Sequence, residues 1–117
     1  MNTEKFNLVI NSRLDTCKEV LIQKAKEYVV DDDRLHNFNV ATSTAGKAVK
    51  CREQALWGMA NKHLVSIIDI IDTMNEDPTY IPEYELVSEK ITDMLNYLLL
   101  LEASIADKRD NQEKKPF

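Results

Sequence analysis

Glu89 and Asp93 stand four residues apart in "SEKITDMLNYLLLL", a stretch with helical periodicity. An i, i+4 spacing brings two carboxylates together on one helix face. Paired carboxylate oxygens are what a hard divalent cation such as Mg²⁺ takes as ligands. Asp69 and Asp72 supply two more acids upstream, on faces that do not quite coincide. Joined, the four are the acidic set that metal-assisted hydrolysis would use. Lys62 either binds a phosphate or neutralises Asp69. The plainer reading of all these charges is the solvated face of amphipathic helices.

A second constellation lies in "DDDRLHNFNVATSTAG", residues 31–46. On a helix starting at Asp33, Arg34, Asn37, Phe38 and Ala41 share one face, while His36 and Val40 point elsewhere. A guanidinium can fork onto phosphate, an amide can read a base or ribose edge, and an aromatic ring can stack or anchor. The plain alternative is a short helix capped by Asp33, followed by a solvated turn at 42–46.

Other chemistries lack the spacing they require. His36 and His63 stand alone, without HxxxH or HExxH, so a zinc site is not expected. His63, beside Lys62, reads as a surface or packing residue. No Gly-rich phosphate loop occurs, nor any Ser-His-Asp or Cys-His arrangement. Cys17 and Cys51 have no CxxC spacing and read as reduced, partly buried thiols. Trp57 is expected in the core or against a short second helix.

These residues need a scaffold, and the pattern supplies four helices in one domain. A net charge of −5, with no basic block, argues against a nucleic-acid partner. "MNTEKFNLVI" lacks the features of a secretory signal, and "LLLL" at 98–101 is far too short to span a membrane. A cytoplasmic protein is therefore expected. The first helix runs from about Thr3, its expected N-cap, to Val30 on a stripe through Phe6, Ile10, Leu14, Cys17 and Leu21. The second covers about Asp33 to Ser43, with Gly46 as a natural stop. The third covers about Arg52 to Met74, with a stripe of Leu56, Ala60, Leu64, Ile67, Ile71 and Met74, and is closed off by "NEDP". The fourth covers about Glu83 to Ala106, with Pro82 just ahead of it. The domain spans residues 1–107, and 108–117 is read as a mobile charged tail.

At 100° per residue, Lys62, Ser66 and Asp69 form a narrow polar seam on the third helix. Glu85, Glu89, Asp93 and Asn96 form a comparable one on the fourth, with Thr92 and Tyr97 at its edges. A short connection suits an antiparallel pair, so the two seams are expected to face a shared cleft. The nearly all-round hydrophobicity of both helices points to an oligomer interface.

The segments "DRLHNF", "ALWGMANKHLVSIIDII" and "EKITDMLNYLLLL" resemble small, largely phage-encoded helical proteins related to MazG-like nucleotide pyrophosphohydrolases and to the nucleotide-modification-associated domain. The matching positions are Arg34, Asn37, Phe38, Lys62, Glu89, Asp93, Asn96 and Tyr97, within about residues 26–105. The resemblance implies an all-α fold, assembly as a homo-oligomer, and a nucleotide held between helices, often with Mg²⁺. MazG-like enzymes carry E-x-x-E and then E-x-x-D. Here the equivalents are Asp69-x-x-Asp72, with shorter side chains, and Glu89-x-x-x-Asp93, with one residue more. One extra residue turns a ligand by about 100° around the helix, and metal-assisted hydrolysis tolerates little misplacement.

The expectation is therefore a four-helix, bundle-like protomer that binds a nucleotide-type ligand through Arg34, Asn37, Lys62, Asn96 and Tyr97. As a phage-type protein it would sequester a nucleotide-derived immune signal, a cyclic nucleotide or ADP-ribose-type messenger, in the host cytoplasm. The alternatives are a Mg²⁺-dependent pyrophosphohydrolase using Glu89, Asp93, Asp69 and Asp72, with Glu89 and Asp93 as metal ligands, and a helical interaction module without a ligand.

Overall fold

The computed structural model describes residues 1–28, 33–44 and 50–113; the side chains of 24–28, 43–44 and 113 lie outside the description. The fold is all-α. Four helices follow one another, α1 (Thr3–Tyr28), α2 (His36–Thr44), α3 (Arg52–Glu76) and α4 (Tyr84–Glu113), with no strand among the described residues. The expected stop at Gly46 lies outside the described residues. None of the helices, among the described residues, is long and apolar enough to cross a membrane.

Helix ends follow from local chemistry. The cap of α1 is Asn2, not Thr3: its side-chain oxygen accepts from the Lys5 amide at 2.8 Å and its carbonyl from the Phe6 amide at 3.0 Å. Two capping residues stand side by side here, and the amide side chain takes the position. Helix α2 begins at His36, three residues later than the pattern suggests. The Asp33 carboxylate accepts from the Leu35 amide at 2.9 Å, and the Asp33 carbonyl from the His36 amide at 3.4 Å. This Asx-type turn holds Arg34 ahead of the helix rather than on it. Helix α4 starts after Glu83, whose carbonyl accepts from the Val87 amide at 3.2 Å. It runs past Ala106 to Glu113, because "DKRDNQE" contains neither Gly nor Pro.

Helix α3 ends where Pro78 blocks continuation, and the Asp77 amide still donates to the Thr73 carbonyl at 2.9 Å. One Asp77 carboxylate oxygen then accepts the Thr79 hydroxyl at 2.6 Å and the Thr79 amide at 3.0 Å. The hydroxyl first, and the amide second, hold the Asp77 carboxyl below the usual carboxylate range. A depressed folded-state pKa gives a contribution that is complete above the unfolded-chain pKa and is lost as pH falls through the folded value. An NMR pH titration is expected to place the Asp77 midpoint below that of free aspartate, and Thr79→Ala should move it upward. A midpoint at or above the free value would refute this account of the turn.

Helices α3 and α4 form an antiparallel hairpin, since Arg52 lies against Ser104 and His63 against Asp93. Helix α1 runs parallel to α4, with Arg13 at Ser88 and Thr92, and Cys17 also against Thr92. Helix α2 packs on α3. Among the described residues the buried core comprises Cys17, Leu35, Ala55, Leu56 and Ala60, with Thr92, Asn96 and Ser104 also buried. Ala55 and Ala60 on α3 leave room for close helix packing, and Leu56 is wholly enclosed. Trp57, expected in the core, is half exposed on the α3 surface; it directly follows Leu56, about 100° around the helix from the buried stripe.

Two polar clasps tie the helices together. The Arg13 guanidinium donates to the Ser88 hydroxyl at 2.6 Å and the Thr92 hydroxyl at 2.8 Å, fastening α1 to α4. Arg52 donates from Nε to the Ser104 hydroxyl at 2.5 Å, and from Nη2 to the Ser104 carbonyl and the Asp107 carboxylate, both at 3.0 Å. The Ser104 hydroxyl in turn donates to Glu53. This closes the far end of the hairpin, and Arg52 Nη1 reaches Asn39 on α2 at 3.4 Å.

Candidate ligand-binding cleft

A cleft of about 260 Å³ opens where all four helices approach one another. Its α4 wall is built by Asp93, Asn96, Tyr97 and Leu100, residues spaced i, i+3, i+4 and i+7 and so on one face. Asn37 and Phe38, in the first turn of α2, form the opposite wall, and Arg34 reaches in from the preceding turn. Leu21 of α1 and Met59 of α3 complete the apolar lining.

Asn96 is the unusual residue. Only 4 % of it is exposed, yet neither its side-chain oxygen nor its nitrogen has a hydrogen-bond partner. A buried amide left unpaired costs about 1–3 kcal/mol. Its side chain carries one acceptor and two donor hydrogens in a single plane.

Arg34 stays exposed. Its Nη2 donates to the Leu21 carbonyl at 3.0 Å, which ties the turn to α1, and none of the ion pairs among the described residues involves it. That bond uses one of the five guanidinium N–H groups. A positive group therefore borders a cleft whose α4 wall includes a neutral amide. Asp93 is the one carboxylate of the wall among the described residues, and His63 lies behind it. The His63 Nδ1 is 3.7 Å from the Asp93 carboxylate, and the ring stacks on Tyr97 with centroids 5.3 Å apart and planes at 25°. His63 thus braces two cleft residues from α3. It is the supporting residue that spacing alone passed over. A signal for it existed, since it lies about 20° around the helix from Leu56 and about 60° from Ala60, the buried positions of that helix.

Of the five ligand-binding residues expected from sequence, Arg34, Asn37, Asn96 and Tyr97 meet in this cleft; Lys62 does not. Lys62 is exposed on α3, and its seam partners Ser66 and Asp69 turn away with it, so the α3 and α4 seams do not share a cleft. The buried stripe of α3 faces α4, and the seam lies on the far side. The acidic set is likewise dispersed. Asp69 and Asp72 are exposed on α3, and Glu89 is exposed beside Lys90 at 3.7 Å; Asp93 alone reaches the cleft. No three His, Cys, Asp or Glu side chains among the described residues come close enough to hold a metal ion. Glu89 and Asp93 do line one shallow pocket with Glu85, Ser88 and Thr92, but Asp69 and Asp72 lie outside it, so the four expected acids do not form a single set.

No family model, curated protein or solved structure matches the chain. The cleft's own chemistry is therefore what bears on function. It combines apolar and aromatic walls, an unpaired amide in the α4 wall and a cation at the rim. An amide and a guanidinium have the hydrogen-bonding capacity to pair with a flat polar group and an anion.

Proposed function

We propose that the protein binds a nucleotide-type small molecule in this cleft and holds it without turnover. The observation that carries the reading is Asn96, a buried amide with both polar atoms unpaired in the wall of a cavity. A nucleobase edge presents adjacent donors and acceptors that would pair it. Tyr97 and Phe38 provide aromatic surface for the base, Asn37 a polar contact to the sugar, and Arg34 a forked contact to phosphate at the mouth. A volume of about 260 Å³ lies just below the usual range for small-molecule pockets, roughly 300–1,000 Å³. It suits a nucleoside with its phosphates outside, as in a mononucleotide or one half of an ADP-ribose-type molecule, better than a whole cyclic dinucleotide. The absence of converging carboxylates among the described residues favours retention of the ligand over hydrolysis. The resemblance of the Arg34, Asn37, Asn96 and Tyr97 motifs to nucleotide-handling phage proteins agrees with this. Sequestration of a nucleotide-derived immune signal by a homo-oligomer is the role we assign.

The test is a panel of nucleoside mono-, di- and triphosphates, ADP-ribose, its cyclic isomers and cyclic dinucleotides, each with and without Mg²⁺. Thermal shift and chromatography of the recovered ligand are read together. One ligand class at a hundredfold excess over its Kd is expected to stabilise the fold by about 2.7 kcal/mol and to be recovered intact. Arg34→Ala should weaken that binding by about tenfold to a hundredfold, the worth of a charge-assisted hydrogen bond of about 1.5–3 kcal/mol, with the ligand-free melting temperature nearly unchanged. Mg²⁺-dependent loss of the ligand would replace this reading with the hydrolytic one. No stabilisation by any panel member would end both.

A further inference from the structure

Helix α3 carries an exposed face besides the one it buries. At 100° per residue, Trp57, Asn61, Val65, Ile68 and Asp72 point within about 80° of one another. Ile68 lies about 80° around the helix from Ala60 and about 120° from Leu56, both buried. The face is open to solvent: Trp57 is 48 % exposed, Val65 50 % and Ile68 45 %, and Asn61 and Asp72 are exposed as well. Single apolar residues are ordinary on a protein surface. These three instead keep to one side of the helix, at the spacings of an apolar stripe made to meet another element. None of them lines the ligand cleft.

Charge along the face points to what covers it. Beyond Ile68 the face turns acidic: Asp69, Asp72 and Glu76 lie within about 60° of one another, all at exposed positions. None of the ion pairs among the described residues involves any of the three. They belong to a longer run. Between Lys62 and Lys90 the chain has no Lys or Arg but seven acids, every one exposed. Those seven exceed the net charge of −5 carried by the whole chain, so the negative charge is concentrated at this end of the α3–α4 hairpin. Nucleic acid and anionic lipid surfaces are repelled by it. A second copy meeting the same face across a two-fold axis would set one acidic patch against another, a juxtaposition that costs free energy. A basic partner is drawn in instead.

We infer that this face of α3 is a docking surface for a basic amphipathic helix of another protein. The partner's apolar residues cover Trp57, Val65 and Ile68, and its Lys or Arg side chains, gathered towards one end, meet Asp69, Asp72 and Glu76. Trp57 to Glu76 spans about 28 Å along the helix axis, so a partner of about five turns covers the face. Trp57 supplies the large aromatic contact on which such interfaces depend most. The inference stands apart from the ligand reading, since it uses no residue of the cleft.

Trp57 is the only tryptophan of the chain, so its fluorescence reports on this face alone. The probe is a helical peptide of leucine and lysine about five turns long, titrated into the full chain; its leucine–glutamate counterpart is the control. The basic peptide is expected to move Trp57 emission to shorter wavelength and to shield it from acrylamide, with affinity falling as salt rises. The acidic peptide should do neither. Ile68→Ser should weaken the basic peptide about tenfold, through the apolar burial it removes. Asp72→Lys combined with Glu76→Lys should weaken it by more than about tenfold. Asp15→Lys combined with Glu19→Lys makes the same change of net charge at exposed positions of α1 and should leave binding nearly unchanged. All substituted side chains are exposed, and melting curves of the free variants check that each is folded. Trp57 already shielded from acrylamide in the protein alone overturns the inference, because a second copy then covers the face. It is also overturned if the basic peptide leaves Trp57 emission unchanged or the acidic peptide binds as well. Equal weakening by the α1 pair overturns it too, since net charge rather than this face would then draw the peptide.

Discussion

Asn96→Leu is expected to raise the stability of the ligand-free protein and to abolish nucleotide binding. Asparagine and leucine both branch at Cγ into two terminal atoms, so the exchange keeps the shape while removing the polar atoms. In the free protein those atoms have no partner, and their burial costs about 1–3 kcal/mol. Leucine removes that cost and adds apolar burial against Leu21, Met59 and Leu100, which line the same cleft. At roughly 4 °C per kcal/mol for a domain of this size, the melting temperature should rise by about 4–12 °C. Binding should fall about a hundredfold or more, since two hydrogen bonds worth together about 2.7 kcal/mol have that effect. Melting curves and titration calorimetry on the same sample read both quantities. A destabilised Asn96→Leu would mean that the amide is satisfied in the free protein, and the argument for a ligand at that position would be lost.

Arg52→Ala is expected to destabilise the protein by about 3 kcal/mol. The guanidinium donates to the side chain and backbone of wholly buried Ser104, to Asp107 and to Asn39, and its Nε also lies 3.6 Å from Glu53. Its loss leaves two carboxylates and an enclosed carbonyl facing one another without a cation. Removing one partner from such a buried set costs about 3–5 kcal/mol; the half exposure of Asp107 places the value at the lower end. Arg52→Lys should recover little, because one ammonium does not reproduce three donors aimed in different directions. Urea unfolding followed by circular dichroism, at fixed protein concentration because association shifts apparent stability, measures the difference. A loss below about 1 kcal/mol would show that the clasp is a solvated surface arrangement.

The elements of this fold were legible because each is written locally. Runs such as Leu56, Ala60, Leu64 and Ile67 state a helical period, and Pro78 and Pro82 mark the break between α3 and α4. Where two local signals compete, sequence does not choose between them. Asn2 and Thr3 can both cap α1, and the choice fell to Asn2. Asp33 can start a helix or an Asx turn, and it makes the turn. Much of the cleft was legible for a similar reason. Asn96 and Tyr97 share a face with Asp93 by spacing along one helix, and Arg34, Asn37 and Phe38 are near neighbours along the chain.

What one dimension does not contain is the rotation of one helix relative to another. The Lys62 seam was assigned to the cleft because α3 and α4 both carry polar stripes, yet the azimuth at which they meet turns Lys62 outward and brings His63 against Asp93 and Tyr97. The same holds for contacts far apart in sequence. Nothing near Arg52 announces Ser104, and nothing near Arg13 announces Thr92. Sequence alone determined that the chain is four helices with apolar stripes and polar seams, because periodicity and side-chain chemistry are local properties. Only the tertiary structure decided which polar residues share a cleft and that Asn96 is buried there without a partner. Those depend on helix azimuth, which is set by packing the whole chain at once.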